Sequence, residues 1–276
     1  MSYTGSAQIS SRKVTTLSLK VMKESGKKIV CLTAYDALWA KLFDESGIDL
    51  ILVGDSLGNV FQGLDTTIPV TLDQVIYHSK AVTTGASRPL VVADMPFMTY
   101  QVTPQEAFRN AGRLMKEAGV NAVKLEGGST VVEAVRLITN NGIPVLGHLG
   151  LTPQSINQFG SYRARGVDPD EAAQIYIDAL QLEEAGVFAI VLEKIPADLA
   201  KKISEALSIP TIGIGAGPHC YGQILVYTDM LGLTTDFSPR FVRRYAMLAE
   251  EVASATARYV EDIQNGLYPN IEDESY

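Results

Sequence analysis

Short β-branched apolar runs alternate with amphipathic stretches along most of this chain. The runs are Ile29–Thr33, Leu50–Val53, Leu90–Ala93, Ala122–Leu125, Val145–Gly147, Phe188–Leu192, Thr211–Ile214 and Gln223–Tyr227, eight in all. Continuous apolar runs of this length suit strands buried on both faces, as in parallel sheets. The intervening stretches have 3.6-residue periodicity and recognisable ends. Thr71 opens a helix that Gly85 closes, and Thr103-Pro104 opens one that ends at Gly119. Asp168-Pro169 opens another, closed by Gly186, and Pro196 begins the next. Capping side chains and Pro at the start, with Gly at the end, mark helix limits. The longest predicted helix covers Phe241–Gln264 and stops at Gly266.

Strand and helix alternating in this way make βαβ units. Eight such units in 276 residues favour closure into an α/β class (β/α)8 TIM barrel, which takes roughly 250 residues. An open doubly wound sheet is the alternative, but no GxGxxG follows the first strand. Val14–Ser25 precedes the first strand with helical spacing at Leu17, Leu19, Val21 and Met22. This extra N-terminal helix would cap the barrel floor or pack on a neighbouring subunit. Residues 1–13 read as a disordered tail, 14–269 as one catalytic barrel and 270–276 as a C-terminal tail. The 157–167 loop, with Gly160, Tyr162, Arg163, Arg165 and Gly166, follows the fifth strand. It is expected to be mobile and to overhang the active face as a lid.

Composition narrows the function. A formal net charge of −8 disfavours nucleic-acid binding, which needs clustered Lys and Arg. Cys31 and Cys220 are the two cysteines, in neither a CxxC nor a zinc spacing, so a disulfide framework and a zinc site both fall. No apolar run reaches the length of a membrane span, and the N-terminus lacks an apolar signal core. A small-molecule enzyme in the cytoplasm is expected.

Barrel enzymes take their catalytic groups from the C-terminal strand ends. Here those ends carry Asp55 and Ser56 after strand two, Asp94 after strand three, Lys124 and Glu126 on strand four, His148 on strand five and Glu193 on strand six. An Asp after one strand is ordinarily a cap or turn residue. Ionisable groups on five consecutive strands are not explained that way. Converging carboxylates repel unless protons or a cation compensate, and hard oxygen ligands without Cys suit Mg²⁺ or Mn²⁺. Asp55 and Asp94 are the expected direct ligands, with Glu126 binding directly or through water. Lys124 would neutralise a substrate carboxylate, and Ser56 would donate to the same anion. Glu193 is the natural general base if the metal holds the Asp pair. His148 would orient substrate or shuttle a proton, with a structural role nearly as well supported. His78 and His219 are assigned to structure or surface, and Cys220 to the interior. Gly213–Gly217 has the composition of a barrel phosphate loop, a weak signal that small residues for close approach would equally explain.

Six segments occur in a specific order: Thr33–Asp36, Val53–Gly58, Ala93–Phe97, Val123–Gly128, Gly147–Gln154 and Gly213–Gly217. Together they closely resemble the ketopantoate hydroxymethyltransferase family from about Val14 to Pro269, with VGDSLG and GHLGLTPQ the most specific. The resemblance implies a (β/α)8 barrel, Mg²⁺, 5,10-methylenetetrahydrofolate as one-carbon donor, 3-methyl-2-oxobutanoate as acceptor and a homodecamer. It implies that Asp55, Asp94 and Glu126 serve the metal, that Ser56, Asp94 and Lys124 contact the oxo acid, and that Glu193 accepts the proton. In one place the chain departs from the family: Tyr221-Gly222-Gln223 stands where an acidic residue often precedes Gly-Gln. The alternative enzyme is a Mg²⁺-dependent lyase or mutase of the phosphoenolpyruvate/isocitrate lyase type. The alternative from another class is a catalytically silent binding protein.

Overall fold

The computed structural model describes residues 12–236 and 239–276. The tail expected over residues 1–13 lies, up to residue 11, outside the described residues. The chain divides into two compact units, Met1–Val226 and Tyr227–Tyr276.

The first unit contains eight strands: β1 (Ile29–Thr33), β2 (Leu50–Val53), β3 (Leu90–Asp94), β4 (Ala122–Glu126), β5 (Val145–Gly150), β6 (Ala189–Glu193), β7 (Thr211–Ile214) and β8 (Gly222–Leu225). All pair in parallel and in sequence order, and β8 closes on β1 through Ile29↔Gly222 to Leu32↔Leu225. The expected TIM barrel is therefore present. β3, β4 and β6 each run one residue further than their apolar runs, to take in Asp94, Glu126 and Glu193. The polar ends stay in register, Asp94 opposite Lys124 and Glu126 opposite His148, because their partners lie across the next ladder rather than in water. β5 continues past Gly147 to Gly150. β8 ends two residues early, since Tyr227 begins a four-residue helix in the second unit.

Inward-facing Leu50, Leu52, Leu90, Val92, Leu146, Val191, Ile212 and Ile224 form one core with Val14, Leu19 and Met22. The last two belong to the helix Thr16–Glu24, started by a Thr15/Ser18 capping box, so the N-terminal helix closes the barrel floor. Lys23 pins it there by donating to the Leu207 and Ile209 carbonyls at 2.5 and 2.9 Å. The outer helices follow their caps. Thr71 and Gln74 make a capping box on Leu72–Gly85. Thr103 caps Pro104–Ala118, which Gly119 ends in the left-handed region at φ 69°. Asp168 caps Pro169–Glu184.

In the second unit the long helix is Leu248–Gln264, seven residues shorter at its start than the pattern over Phe241–Gln264 predicts. The amides of Tyr245 and Leu248 are taken by the Met230 and Leu231 carbonyls, which leaves the preceding segment no i→i−4 ladder to join. Asn270 closes a turn in the C-terminal segment, its side chain accepting from the Glu272 and Asp273 amides. Among the described residues no helix is long and apolar enough to cross a membrane.

Candidate active site

The barrel gathers the predicted rim residues into one buried cluster. Asp55, Asp94, Lys124, Glu126 and His148 are each 5% exposed or less, and Glu193 stands at the edge with 17% of its side chain open. Gly54 leaves room for the Ser56 side chain, since a Cβ there would sit 2.8 Å from Ser56 Oγ; beside it the Asp55 amide donates to Asp94 Oδ2 at 2.9 Å. Gly150 likewise leaves room between β5 and β6. Its φ is +93°, and an added Cβ would collide with the Glu193 carbonyl and lie 2.7 Å from Ile195 Cγ2.

Lys124 Nζ lies 3.0 Å from Asp94 Oδ1, 3.6 Å from Glu126 Oε1 and 3.1 Å from His148 Nδ1. The Asp94 contact is an ion pair whose angle misses a hydrogen bond, so Asp94 Oδ1 is buried without a donor. His148 bridges two acids: Nδ1 is 3.1 Å from Glu126 Oε1, and Nε2 is 3.3 Å from Glu193 Oε2. Ser56, half-buried, shares a 2.8 Å hydrogen bond with the Tyr35 hydroxyl.

Burial raises the Asp55 pKa most, the charges of Asp94 and Glu126 add to it, and the result is about 8. Asp94 is raised by burial too, against the pull of Lys124 and the Asp55 amide. Glu126 shows the opposite balance. Burial pushes it up, but Lys124, His148 and the Gln154 amide together bring it below its usual range. Burial and the Lys124 charge depress His148, yet Glu126 and the bonds to Glu126 and Glu193 outweigh them and lift it to about 9. Lys124 is also raised, because Asp94, Glu126 and Asp55 overcome its burial. His148 thus sits between the two acids, within hydrogen-bond distance of Glu126 at Nδ1 and at ion-pair distance from Glu193 at Nε2.

For Glu126 the expectation covers both direct and water-mediated metal contact. Oε1 faces His148 and Lys124, and Oε2 accepts from the Gln154 amide at 3.0 Å. Both oxygens are engaged, which favours contact with a metal through water over direct ligation. Among the described residues no group of three or more His, Cys, Asp or Glu is arranged to hold a metal ion; the Asp55–Asp94 pair is the acidic donor set at the rim. Glu193 lies next to His148, 3.3 Å from its Nε2. Lys194 turns away from it in the left-handed region at φ 46° and donates to the Tyr162 carbonyl at 2.5 Å.

That contact alters the picture of the 157–167 loop. Its first residues finish the short helix Ile156–Phe159, and the Arg165 amide donates to the Lys194 carbonyl at 2.9 Å. Arg165 pairs with Glu171 and stacks 3.9 Å over the Phe159 ring. These contacts place the segment expected as a lid against the Lys194 main chain and side chain. His78 is structural as assigned: it is buried, 2.7 Å from the Tyr35 carbonyl and edge-on to Phe61. His219 is exposed and Cys220 buried. At Gly213 a Cβ would crowd Cys220 Sγ and Gln223 at 3.0–3.2 Å, so close packing explains that glycine without a bound phosphate.

Three side chains that contact the candidate site escaped the sequence reading: Tyr35, Tyr100 and Gln154. Tyr35 and Gln154 lay inside segments singled out above, but as neutral residues they gave no chemical signal. Tyr100 had none, since it reaches the rim only through the loop after β3.

The sequence model of the ketopantoate hydroxymethyltransferase family covers residues 13–271. The chain belongs to the ketopantoate hydroxymethyltransferase family. It is accordingly an enzyme, a hydroxymethyltransferase. It is 57% identical over 267 residues to the 3-methyl-2-oxobutanoate hydroxymethyltransferase of Chlorobaculum tepidum, covering 95% of this chain and 96% of that one. The Salinibacter ruber protein of the same name is 56% identical over 264 residues, with 96% and 99% covered. The one from Syntrophus aciditrophicus is 50% identical over 271 residues, with 98% and 99% covered. Among solved structures, a phosphonopyruvate hydrolase in complex with oxalate and Mg++ superposes with a TM-score of 0.60 at 12% identity, covering 94% and 93% of the two chains. A 2,3-dimethylmalate lyase, a PEP mutase/isocitrate lyase superfamily member, superposes at 0.60 with 17% identity over 95% and 89%. These two share the barrel with the ketopantoate hydroxymethyltransferase family. At that identity the lyase and mutase alternative has the fold in its favour and nothing finer.

Proposed function

We propose that this enzyme transfers a hydroxymethyl group from 5,10-methylenetetrahydrofolate to 3-methyl-2-oxobutanoate, giving 2-dehydropantoate, with Mg²⁺ bound at Asp55 and Asp94. The observation that carries the reading is the buried Asp55–Asp94 pair joined to Lys124, with Glu193 on the far side of His148. Two adjacent carboxylates with raised pKa values and a buried Asp94 Oδ1 lacking a donor form a donor set that fits a hard divalent cation. Bound there, Mg²⁺ would supply Lewis acidity toward the oxo acid.

The protein's own groups do the rest. Lys124 is a buried ammonium that attracts the substrate carboxylate, and Ser56, held by Tyr35, donates a hydrogen bond to it. Glu193 is the open end of the Glu126–His148–Glu193 array and accepts the C3 proton. His148 holds that carboxylate in place from 3.3 Å. Water adds to the methylene carbon and both of its bonds, to folate N5 and N10, break, each nitrogen taking one of the water protons. The C3 carbanion of the enolate forms the new C–C bond to the formaldehyde so released. The resulting alkoxide takes up the proton removed from C3 to become the hydroxyl. Cytoplasmic residence and assembly as a homodecamer belong to the same reading, and sedimentation of the purified protein tests the latter.

Deuterium exchange at C3 of 3-methyl-2-oxobutanoate without folate isolates the proton step. Glu193→Gln is expected to slow it by about 10²–10⁴-fold, the usual worth of a general base. Exchange at the wild-type rate would remove Glu193 from the role. A chelator is expected to abolish both exchange and product formation.

A further inference from the structure

Gln154 is a neutral side chain, 4% exposed, set among buried charges. Its hydrogen bonds leave no freedom of direction. Nε2 lies 2.9 Å from Asp55 Oδ2 and 3.0 Å from the Met95 carbonyl. Both are acceptors when Asp55 is ionised, so the amino group faces them and both its hydrogens are committed. Oε1 then faces the Tyr100 hydroxyl at 2.7 Å. Tyr100 accepts the Glu126 amide hydrogen at 3.3 Å, so its own proton goes to Gln154. The bonds run one way, from Glu126 N–H to Tyr100, from Tyr100 to Gln154, and from Gln154 to Asp55. The Gln154 main chain meanwhile donates to Glu126 Oε2. A flipped amide would set Oε1 against a carboxylate and a carbonyl, leaving buried acceptors opposed and unsatisfied.

We propose that Gln154, locked by Tyr100, is a positioning residue that turns the Asp55 carboxylate for divalent-cation binding. By occupying Oδ2 it fixes the rotation of the carboxylate about its Cβ–Cγ bond. The other oxygen has no donor among the described residues and is left for the cation. Residues behind a metal ligand commonly set its affinity in this way. The inference rests on the cation reading above, and its test separates the two.

Mn²⁺ binding to the full-length protein is measured by the electron paramagnetic resonance signal of the free ion, with thermal unfolding followed in parallel. Gln154→Leu is expected to weaken Mn²⁺ binding by about 10–100-fold. Tyr100→Phe, which takes the donor from Oε1 and loosens the amide while Nε2 keeps its acceptors, is expected to give a smaller loss in the same direction. A purely structural role would lower the melting temperature and leave Mn²⁺ affinity unchanged, and that result overturns the inference. If Gln154→Leu does not fold, Tyr100→Phe decides alone: reduced affinity supports the lock, unchanged affinity removes it. Asp55→Asn is the control. If it binds Mn²⁺ as wild type does, the cation reading fails and the inference with it. If it loses Mn²⁺ while Gln154→Leu and Tyr100→Phe do not, only the inference fails.

Discussion

Below β2 and β3, Arg88 lies between Asp44 and Asp49, 3.6 Å from a carboxylate oxygen of each. Above the same two strands, Asp55 and Asp94 share Lys124 with Glu126. In the lower cluster the acids are supplied with donors. Asp44 accepts from the Ser87 and Arg88 amides and the Ser87 hydroxyl, Asp49 accepts from the Val30 amide, and Arg88 also donates to the Ile48 carbonyl. Burial would raise the Asp44 pKa, but those bonds and Arg88 lower it instead. In the upper cluster burial and like charge win, and Asp55 reaches about 8. One barrel thus holds a cluster whose carboxylates are well supplied with donors and one in which carboxylates crowd one another. Depth of burial does not separate them; the balance of donors and charge around the carboxylates does.

Removing the central cation should separate the two ends most sharply. Arg88→Met strands two acids at the floor and is expected to cost about 3–5 kcal/mol, as for breaking a buried pair, in denaturant unfolding. Activity per folded molecule should stay near wild type. The upper cluster should respond with the opposite sign: Asp55→Asn is expected to stabilise the metal-free protein at neutral pH by on the order of 1 kcal/mol while abolishing turnover. Equal destabilisation by both substitutions would erase the distinction.

The pH dependence should divide in the same way. Asp55 and His148 have raised folded-state values, from 3.8 to about 8 and from 6.5 to about 9. Each contributes stability that is full below its unfolded value and lost as pH rises through the folded one. Metal-free enzyme should therefore melt at progressively lower temperature from neutral into alkaline solution, and His148→Gln should flatten the decline between 6.5 and about 9. Asp44, whose value is lowered from 3.8, contributes stability that is lost on the acid side. The smallest effect expected is a shallower acid limb in Arg88→Met, seen by thermal unfolding across the acid range.

The barrel was legible because strand ends and helix caps agree locally, as with Thr71, Thr103 and Asp168. The rim was legible because Asp55, Asp94, Lys124, Glu126, His148 and Glu193 carry charge where barrels do chemistry. The pairing among them was not. That Glu126 turns to His148 depends on the β4–β5 register, which one strand's pattern does not encode. Gln154 and Tyr100 stayed hidden for a related reason: their meaning lies in hydrogen-bond direction across 54 residues of chain. The start of the last helix was misplaced because carbonyls at 230–232, remote from the periodic stretch, claim its amides.

Gly150 bears on how this active site tolerates change. Where β5 and β6 touch, any side chain would push against the main chain that carries Glu193, so the proposed general base is held at its station by an empty volume. A saturation library at position 150 should return glycine alone among active clones. The nearest-looking conservative choice, alanine, should behave like a base mutant although it lies outside the chemistry.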